Sequence, residues 1–164
     1  MIKYLEKEDI EEYLDLLKDS LTMAPDSFAE THPALNASLH FEAFIKVPKS
    51  EKFILGFWDE GELVGMIEFE RGRVLKTQHT GTIGHLFVHP GYRKQGIGKS
   101  LLFECIKNAK VTSRIKLIYL VVIENSESAY NLFEKVGFHE FGIKPRAIKV
   151  KDQYFTETLM YLEI

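Results

Sequence analysis

The chain of 164 residues contains one cysteine, Cys105, which excludes an intramolecular disulfide. No apolar run approaches the roughly 20 residues that a membrane-spanning helix requires. Residues 1–9, Met-Ile-Lys-Tyr-Leu-Glu-Lys-Glu-Asp, are too charged for the apolar segment of a secretory signal. The expected location is therefore the cytoplasm, with no membrane partner. A large excess of either charge sign is also lacking. A net charge of -3 gives no whole-molecule field that would favour nucleic acid. No Pro/Ser-rich or low-complexity stretch marks a linker, and no internal repeat is evident. What is present, 45% hydrophobic and 27% charged residues, fits a single domain over residues 1–164 with one sizeable core.

The informative stretch is residues 86–107. An apolar run through Leu86, Phe87 and Val88 stops at Pro90, which cannot donate to a sheet ladder, and helical periodicity begins only after Gly96 and Gly98. The pattern predicts a strand, a glycine loop and a helix N-terminus. Such a loop lets backbone approach a ligand closely, and the N–H groups of the first helical turn point outward with partial positive charge. The chemistry this suits is cradling a phosphate. Cys105 shares an apolar stripe with Ile97 and Leu101, which predicts a buried packing cysteine and not a catalytic thiol.

In chain order, residues 2–5 read as a strand. Ile10, Tyr13, Leu14, Leu17 and Leu21 fall on one helical face. Residues 23–36 read as a loop, and a second helix carries Leu39, Ala43, Phe44 and Val47 before Pro48. Residues 53–58 and 63–70 form a hairpin with a slightly long loop, and residues 80–88 form the strand that leads into the glycine loop. Residues 116–123 read as a strand covered on both faces. Asn125 or Ser126 can cap a helix that Gly137 ends, and two strands near residues 140–148 and 154–162 finish the chain. The order β α α β β β α β α β β predicts an α/β (α+β) fold, with a mixed, largely antiparallel, twisted sheet of about seven strands and helices on both faces.

Two segments carry a family resemblance. Val88-His89-Pro90-Gly91-Tyr92-Arg93-Lys94-Gln95-Gly96-Ile97-Gly98 resembles the Arg/Gln-x-x-Gly-x-Gly/Ala acetyl-CoA loop of the GNAT-superfamily N-acetyltransferases. Asn125-Ser126-Glu127-Ser128-Ala129-Tyr130-Asn131-Leu132-Phe133-Glu134-Lys135-Val136-Gly137-Phe138 resembles that family's Asn-x-x-x-Ala-x-x-Leu-Tyr-Glu-Lys-x-Gly-Phe segment. The resemblance implies acetyl-CoA as co-substrate and an amine as acceptor. It implies that Leu86, Phe87 and Val88 run along the pantetheine arm, and that the N–H groups of Lys94, Gln95, Gly96, Ile97, Gly98, Lys99 and Ser100 hold the pyrophosphate, with charge from Arg93 and Lys99. Asn125 would meet the arm where two strands part, and the helix bearing Tyr130 and Phe133 would flank it.

The family often places a tyrosine where Phe133 stands, as an acid for the departing thiolate. Phenylalanine cannot serve, and Tyr130, one turn earlier, is the candidate substitute. The usual base positions correspond here to Thr82 and Gly84, which cannot accept a proton. Glu68 and His85 are the remaining side-chain candidates, and a water chain is a third route. Glu68 shares a face with Met66 and Glu70, which reads as a solvated carboxylate row, and strand alternation directs His85 away from Gly84. His85 and His89 do not form a helical ligand pair and no acidic or cysteine cluster completes a site, so no metal is expected.

The acceptor is expected over Pro25, Asp26, Ser27, Phe28 and Glu30 and over residues 142–149. The leading reading is direct acetyl transfer to a primary amine of a small molecule or peptide. The alternative is a non-catalytic acetyl-CoA-binding sensor or docking module. A nucleoside-triphosphate site is disfavoured, because the loop lacks Walker spacing. The last two strands offer a route to a homodimer.

Overall fold

A computed structural model describes residues 1–23 and 34–164. Seven strands form one sheet in the order β1-β2-β3-β4-β5-β7-β6, built from β1 Ile2–Tyr4, β2 Lys52–Asp59, β3 Glu62–Arg71, β4 Thr80–Val88, β5 Leu117–Ile123, β6 His139–Val150 and β7 Gln153–Glu163. Among the described residues four α-helices accompany it: α1 Ile10–Met23, α2 Ala34–Ile45, α3 Ile97–Val111 and α4 Glu127–Val136. Every strand pair is antiparallel except β4 with β5. The mixed sheet and the element order agree with the expectation. No helix among the described residues is long and apolar enough to cross a membrane.

The two sheet faces bury separate cores. Beneath α3 and α4, Leu55, Val64, Ile67, Phe69, Ile83, Ile118, Leu120 and Met160 meet Ile97, Leu101, Leu102, Cys105 and Phe133. On the other face α1 and α2 cover Ile54, Leu63, Met66 and Phe87 with Tyr13, Leu16, Leu17, Ala37, Phe41 and Phe44. Each large buried aliphatic or aromatic side chain contributes about 1.5–3 kcal/mol, so these layers hold the sheet rigid between the helices.

Several expectations need correction. The stretch read as a loop up to residue 36 already contains the start of α2 at Ala34. The buried face of α2 is Ala37, Phe41 and Phe44, at i, i+4 and i+7, while Leu39 is 58% exposed. The β2–β3 loop has only Glu60 and Gly61 between the strands, both at positive φ, which is the geometry of a two-residue hairpin turn. Strand β5 is covered unequally on its two faces. Its Ile118, Leu120 and Val122 are buried, whereas on the other face Val121 is 50% exposed and only Ile123 is buried, since α1 and α2 make their main contacts with β3 and β2.

Candidate functional site

Strands β4 and β5 pair in parallel only at Thr80↔Leu117, Gly81↔Ile118 and Thr82↔Tyr119. Beyond that point they part. The continuation of β4 and that of β5 form the walls of a cleft, with α3 leaving one wall and α4 the other.

The α3 wall ends in the glycine loop. Lys94 has φ 62° and Gly96, the N-cap of α3, has φ 82°, a left-handed conformation that a side chain at Gly96 would strain. The first intrahelical bond runs from Ser100 N–H to Gly96 C=O at 2.9 Å, so the N–H groups of Ile97, Gly98 and Lys99 head the helix without helical acceptors. Ile97 is buried and anchors that end, while Arg93, Lys94, Gln95, Lys99 and Ser100 lie exposed around it. Arg93 Nε–H donates to the Val88 carbonyl at 2.9 Å, which fixes its guanidinium beside the loop. A methyl group on Gly98 would meet Leu132 of α4 and Val88 of β4 at 3.6 and 3.7 Å, so that position looks into the space between the two walls.

On the α4 wall, Asn125 has φ 74° at the exit of β5, and Gly137, φ 111°, ends α4 while its N–H reaches the Phe133 and Glu134 carbonyls. Phe133 is buried, with its ring edge-on to Phe138 at 5.7 Å. Tyr130 packs at the margin of the same core and donates its hydroxyl to Glu140 Oε2 at 3.3 Å. Partial desolvation, followed by the carboxylates of Glu140 and Glu134, raises the phenol above its ordinary value.

The opposite face of β4 holds the chemistry. Between Met66↔Phe87 and Glu68↔Gly84 the β3–β4 register slips, so that His85 and Leu86 together oppose Ile67. This is a β-bulge, and His85 sits in it at φ 43°. The bulge overturns the alternation argument. His85 is turned to the face of Glu68, where its Nδ1 lies 3.0 Å from Glu68 Oε2.

Glu68 is not part of a solvated row either. It is 3% exposed, because α1 and α2 close over it, and only Glu70 of that row reaches out to Lys52 and Arg73. His40 Nε2 of α2 is also 3.0 Å from Glu68 Oε2, and the Tyr13 hydroxyl of α1 donates to Oε1 at 3.1 Å. Burial alone would push the Glu68 carboxyl upward, but the His85 charge and the hydrogen bonds from His40 and His85 outweigh it and hold the carboxyl well below its ordinary range. A carboxylate only accepts. Each imidazole therefore presents an N–H to it from the nitrogen that faces it.

Of the three candidates for proton transfer, Glu68 and His85 are thus brought together, and Tyr130 stands apart on the α3/α4 side. His40 and Tyr13 complete the cluster without having been singled out in the sequence. A signal existed for His40, which lies three residues after Ala37 and four before Phe44 and so shares their helical face. His89 does not join them; its Nδ1 accepts from the Gly91 N–H at 3.2 Å. Pro25, Asp26, Ser27, Phe28 and Glu30 lie outside the described residues. Cys105 is fully buried, and burial pushes its thiol upward, as a packing cysteine requires.

A parallel pair that splays beside a glycine-started helix, with a polar cluster on the far side of the bulged strand, suits an anion held at the helix start and proton transfer beside it. Residues 10–138 match the model of the acetyltransferase (GNAT) family, and the chain belongs to that family of acetyl-transferring enzymes. It is 28% identical over 141 residues to the glucosamine 6-phosphate N-acetyltransferase of Trypanosoma brucei brucei, covering 84% of this chain and 87% of that protein. It is 28% identical over 98 residues to the spermine/spermidine N(1)-acetyltransferase of Bacillus subtilis, covering 54% of this chain and 60% of the relative. The curated relatives are spanned to very different extents, from 15% to 87% of their lengths. Among solved structures, an acetyltransferase from Salmonella typhimurium with its cofactor acetyl-CoA superposes with a TM-score of 0.84 at 17% identity, covering 99% of this chain and 92% of that one. At that identity the likeness concerns the fold.

Proposed function

We propose that the protein transfers the acetyl group of acetyl-CoA directly to a primary amine of a small molecule or peptide, with His85 as proton acceptor and Glu68 as the group that orients it. The observation that carries this reading is the bulge at His85. It directs an imidazole onto a buried carboxylate where β4 leaves β5.

The residues present suit acetyl-CoA as co-substrate. The N–H groups of Ile97, Gly98 and Lys99, reached past the left-handed Gly96, would hold the pyrophosphate with the charges of Arg93 and Lys99. The edge of β4 over Leu86, Phe87 and Val88 would take the pantetheine arm, with Asn125 on the facing wall. Main-chain N–H groups near Phe87 and Val88 would stabilise the charge that develops on the thioester carbonyl.

The acceptor amine would enter from the side of Tyr13 and His40. His85 Nε2 takes the proton as the amide bond forms, and the resulting imidazolium faces the Glu68 carboxylate. The CoA sulfur leaves as thiolate. Neither Phe133 nor Tyr130, whose hydroxyl is engaged by Glu140, is suited to protonate it. A thiol of ordinary pKa near 8.5 is a tolerable leaving group, so losing an acid worth about 10²- to 10⁴-fold slows the reaction without abolishing it.

The presence of Phe133 also motivates the competing reading, a module that binds acetyl-CoA without turnover. Release of free CoA thiol with amino sugar phosphates, polyamines, amino acids and peptides separates the two. The acceptors named for the two relatives place amino sugar phosphates and polyamines first in the panel. Thiol release with at least one amine is expected; tight acetyl-CoA binding with no turnover on any of them would establish the module.

A further inference from the structure

The cluster at Glu68 contains more ligand chemistry than proton transfer needs. His40 Nε2 from α2 and His85 Nδ1 from β4 converge on a single carboxylate oxygen at 3.0 Å each, and the three atoms lie within 4.8 Å of one another. The carboxylate is held from behind by the Tyr13 hydroxyl at 3.1 Å on its other oxygen. Two imidazoles and a carboxylate suit zinc and related divalent transition metals. Metal–ligand bonds of about 2.0–2.2 Å put tetrahedral ligands about 3.3–3.5 Å apart. The two carboxylate–imidazole separations need only open by a few tenths of an ångström, while the two imidazole nitrogens, already within 4.8 Å, must come to the same spacing. His40 retains 23% side-chain exposure, which gives an ion a route in and a water the fourth position.

The geometry points to a divalent transition-metal site at His40, Glu68 and His85, whose occupation stops acetyl transfer. The chemistry balances without any redox step. Each neutral imidazole gives the metal the nitrogen that faced Glu68, and the proton from that nitrogen passes through solvent to the other nitrogen of the same ring. An imidazolium releases one proton to solvent instead. His85 is then an Nε2–H donor, and the lone pair that would have taken the amine's proton is gone. This inhibition rests on His85 being the proton acceptor; metal binding itself does not.

The test is calorimetric titration of the whole chain with zinc after chelator treatment, paired with the visible spectrum of the cobalt(II) form. One zinc per chain is expected with micromolar or tighter affinity. His40→Ala and His85→Ala should each weaken binding at least about tenfold, since a lost ligand costs no less than a lost supporting contact, and should remove the four-coordinate cobalt bands. His139→Ala, at an exposed histidine remote from the cluster, should change neither. Circular dichroism of each variant establishes that it is folded. No zinc binding by the native chain, or binding that survives both His40→Ala and His85→Ala, overturns the site. Zinc that binds there yet leaves thiol release unchanged upholds the ligand set and refutes His85 as the proton acceptor, so the two readings fail separately.

Discussion

Replacing Glu68 by glutamine tests the site most directly, because it removes the charge while keeping the shape. The amide oxygen can occupy the position of Oε2 and accept from both His40 and His85, and the amide nitrogen can donate to the Tyr13 hydroxyl, so the cluster stays hydrogen-bonded. Three charge-assisted bonds become neutral ones. At about 1 kcal/mol lost for each, the protein is destabilised by about 3 kcal/mol, or roughly 6–12 °C in Tm for a chain of this size. The kinetic effect is larger. A carboxylate about 5 Å from the charge that forms on His85 stabilises it by about 3 kcal/mol at an effective dielectric of about 20. Its removal lowers kcat by about 10²-fold. The attraction that holds the Glu68 carboxyl low favours the charged imidazole equally, so the acidic limb of the kcat/KM profile moves to lower pH in Glu68→Gln. The KM for acetyl-CoA should stay constant. Initial rates of thiol release across pH, with any amine that turns over, give all three quantities. A kcat within twofold of the native value and an unmoved acidic limb would reduce Glu68 to a structural tie and refute the catalytic reading.

Other outcomes follow from the same geometry. Gly98→Glu should abolish acetyl-CoA binding by calorimetry with the fold intact, because its Cβ meets only ordinary contacts at 3.6 and 3.7 Å while the rest of the side chain and its charge fill the cleft; retained affinity would remove the cradle from that loop. Gly96→Ala should instead cost about 1–2 kcal/mol of stability through its φ of 82°, read as a lowered urea midpoint. Because the Glu68 carboxyl is depressed in the folded chain, its contribution to stability is complete above its ordinary value of 4.5 and is lost as pH falls toward its folded value. The difference in urea midpoint between native protein and Glu68→Gln should accordingly shrink as pH falls below about 4.5. A difference that grows over that acidic range would reverse the sign of the argument. Cys105 should resist thiol reagents in the native state and react fully when unfolded; stoichiometric native labelling would contradict its burial.

What the sequence made legible is the part encoded locally. The glycine loop, the left-handed C-cap of α4 at Gly137 and the order of elements depend on residues adjacent in the chain, and all are visible as spacing and residue type. The cluster around Glu68 is assembled from positions 13, 40, 68 and 85, and no period in one segment reveals what another will lay over it. Met66, Glu68 and Glu70 lie on the strand that their pattern predicts, but whether a strand face meets water is decided by helices encoded elsewhere. His85 shows the sharper limit. Period-two alternation holds only while the ladder keeps register, and one extra residue in β4 inverts the side to which His85 projects. A non-glycine residue at φ 43° within a strand is unfavourable on its own. It persists here where the imidazole gains a buried carboxylate partner and where β4 is leaving β5, so the local strain, the contact with Glu68 and the opening of the cleft coincide at one position. Relieving the strain by straightening the strand would return His85 to the α3/α4 side and separate it from Glu68, which makes the bulge itself the structural element on which the proposed proton transfer depends.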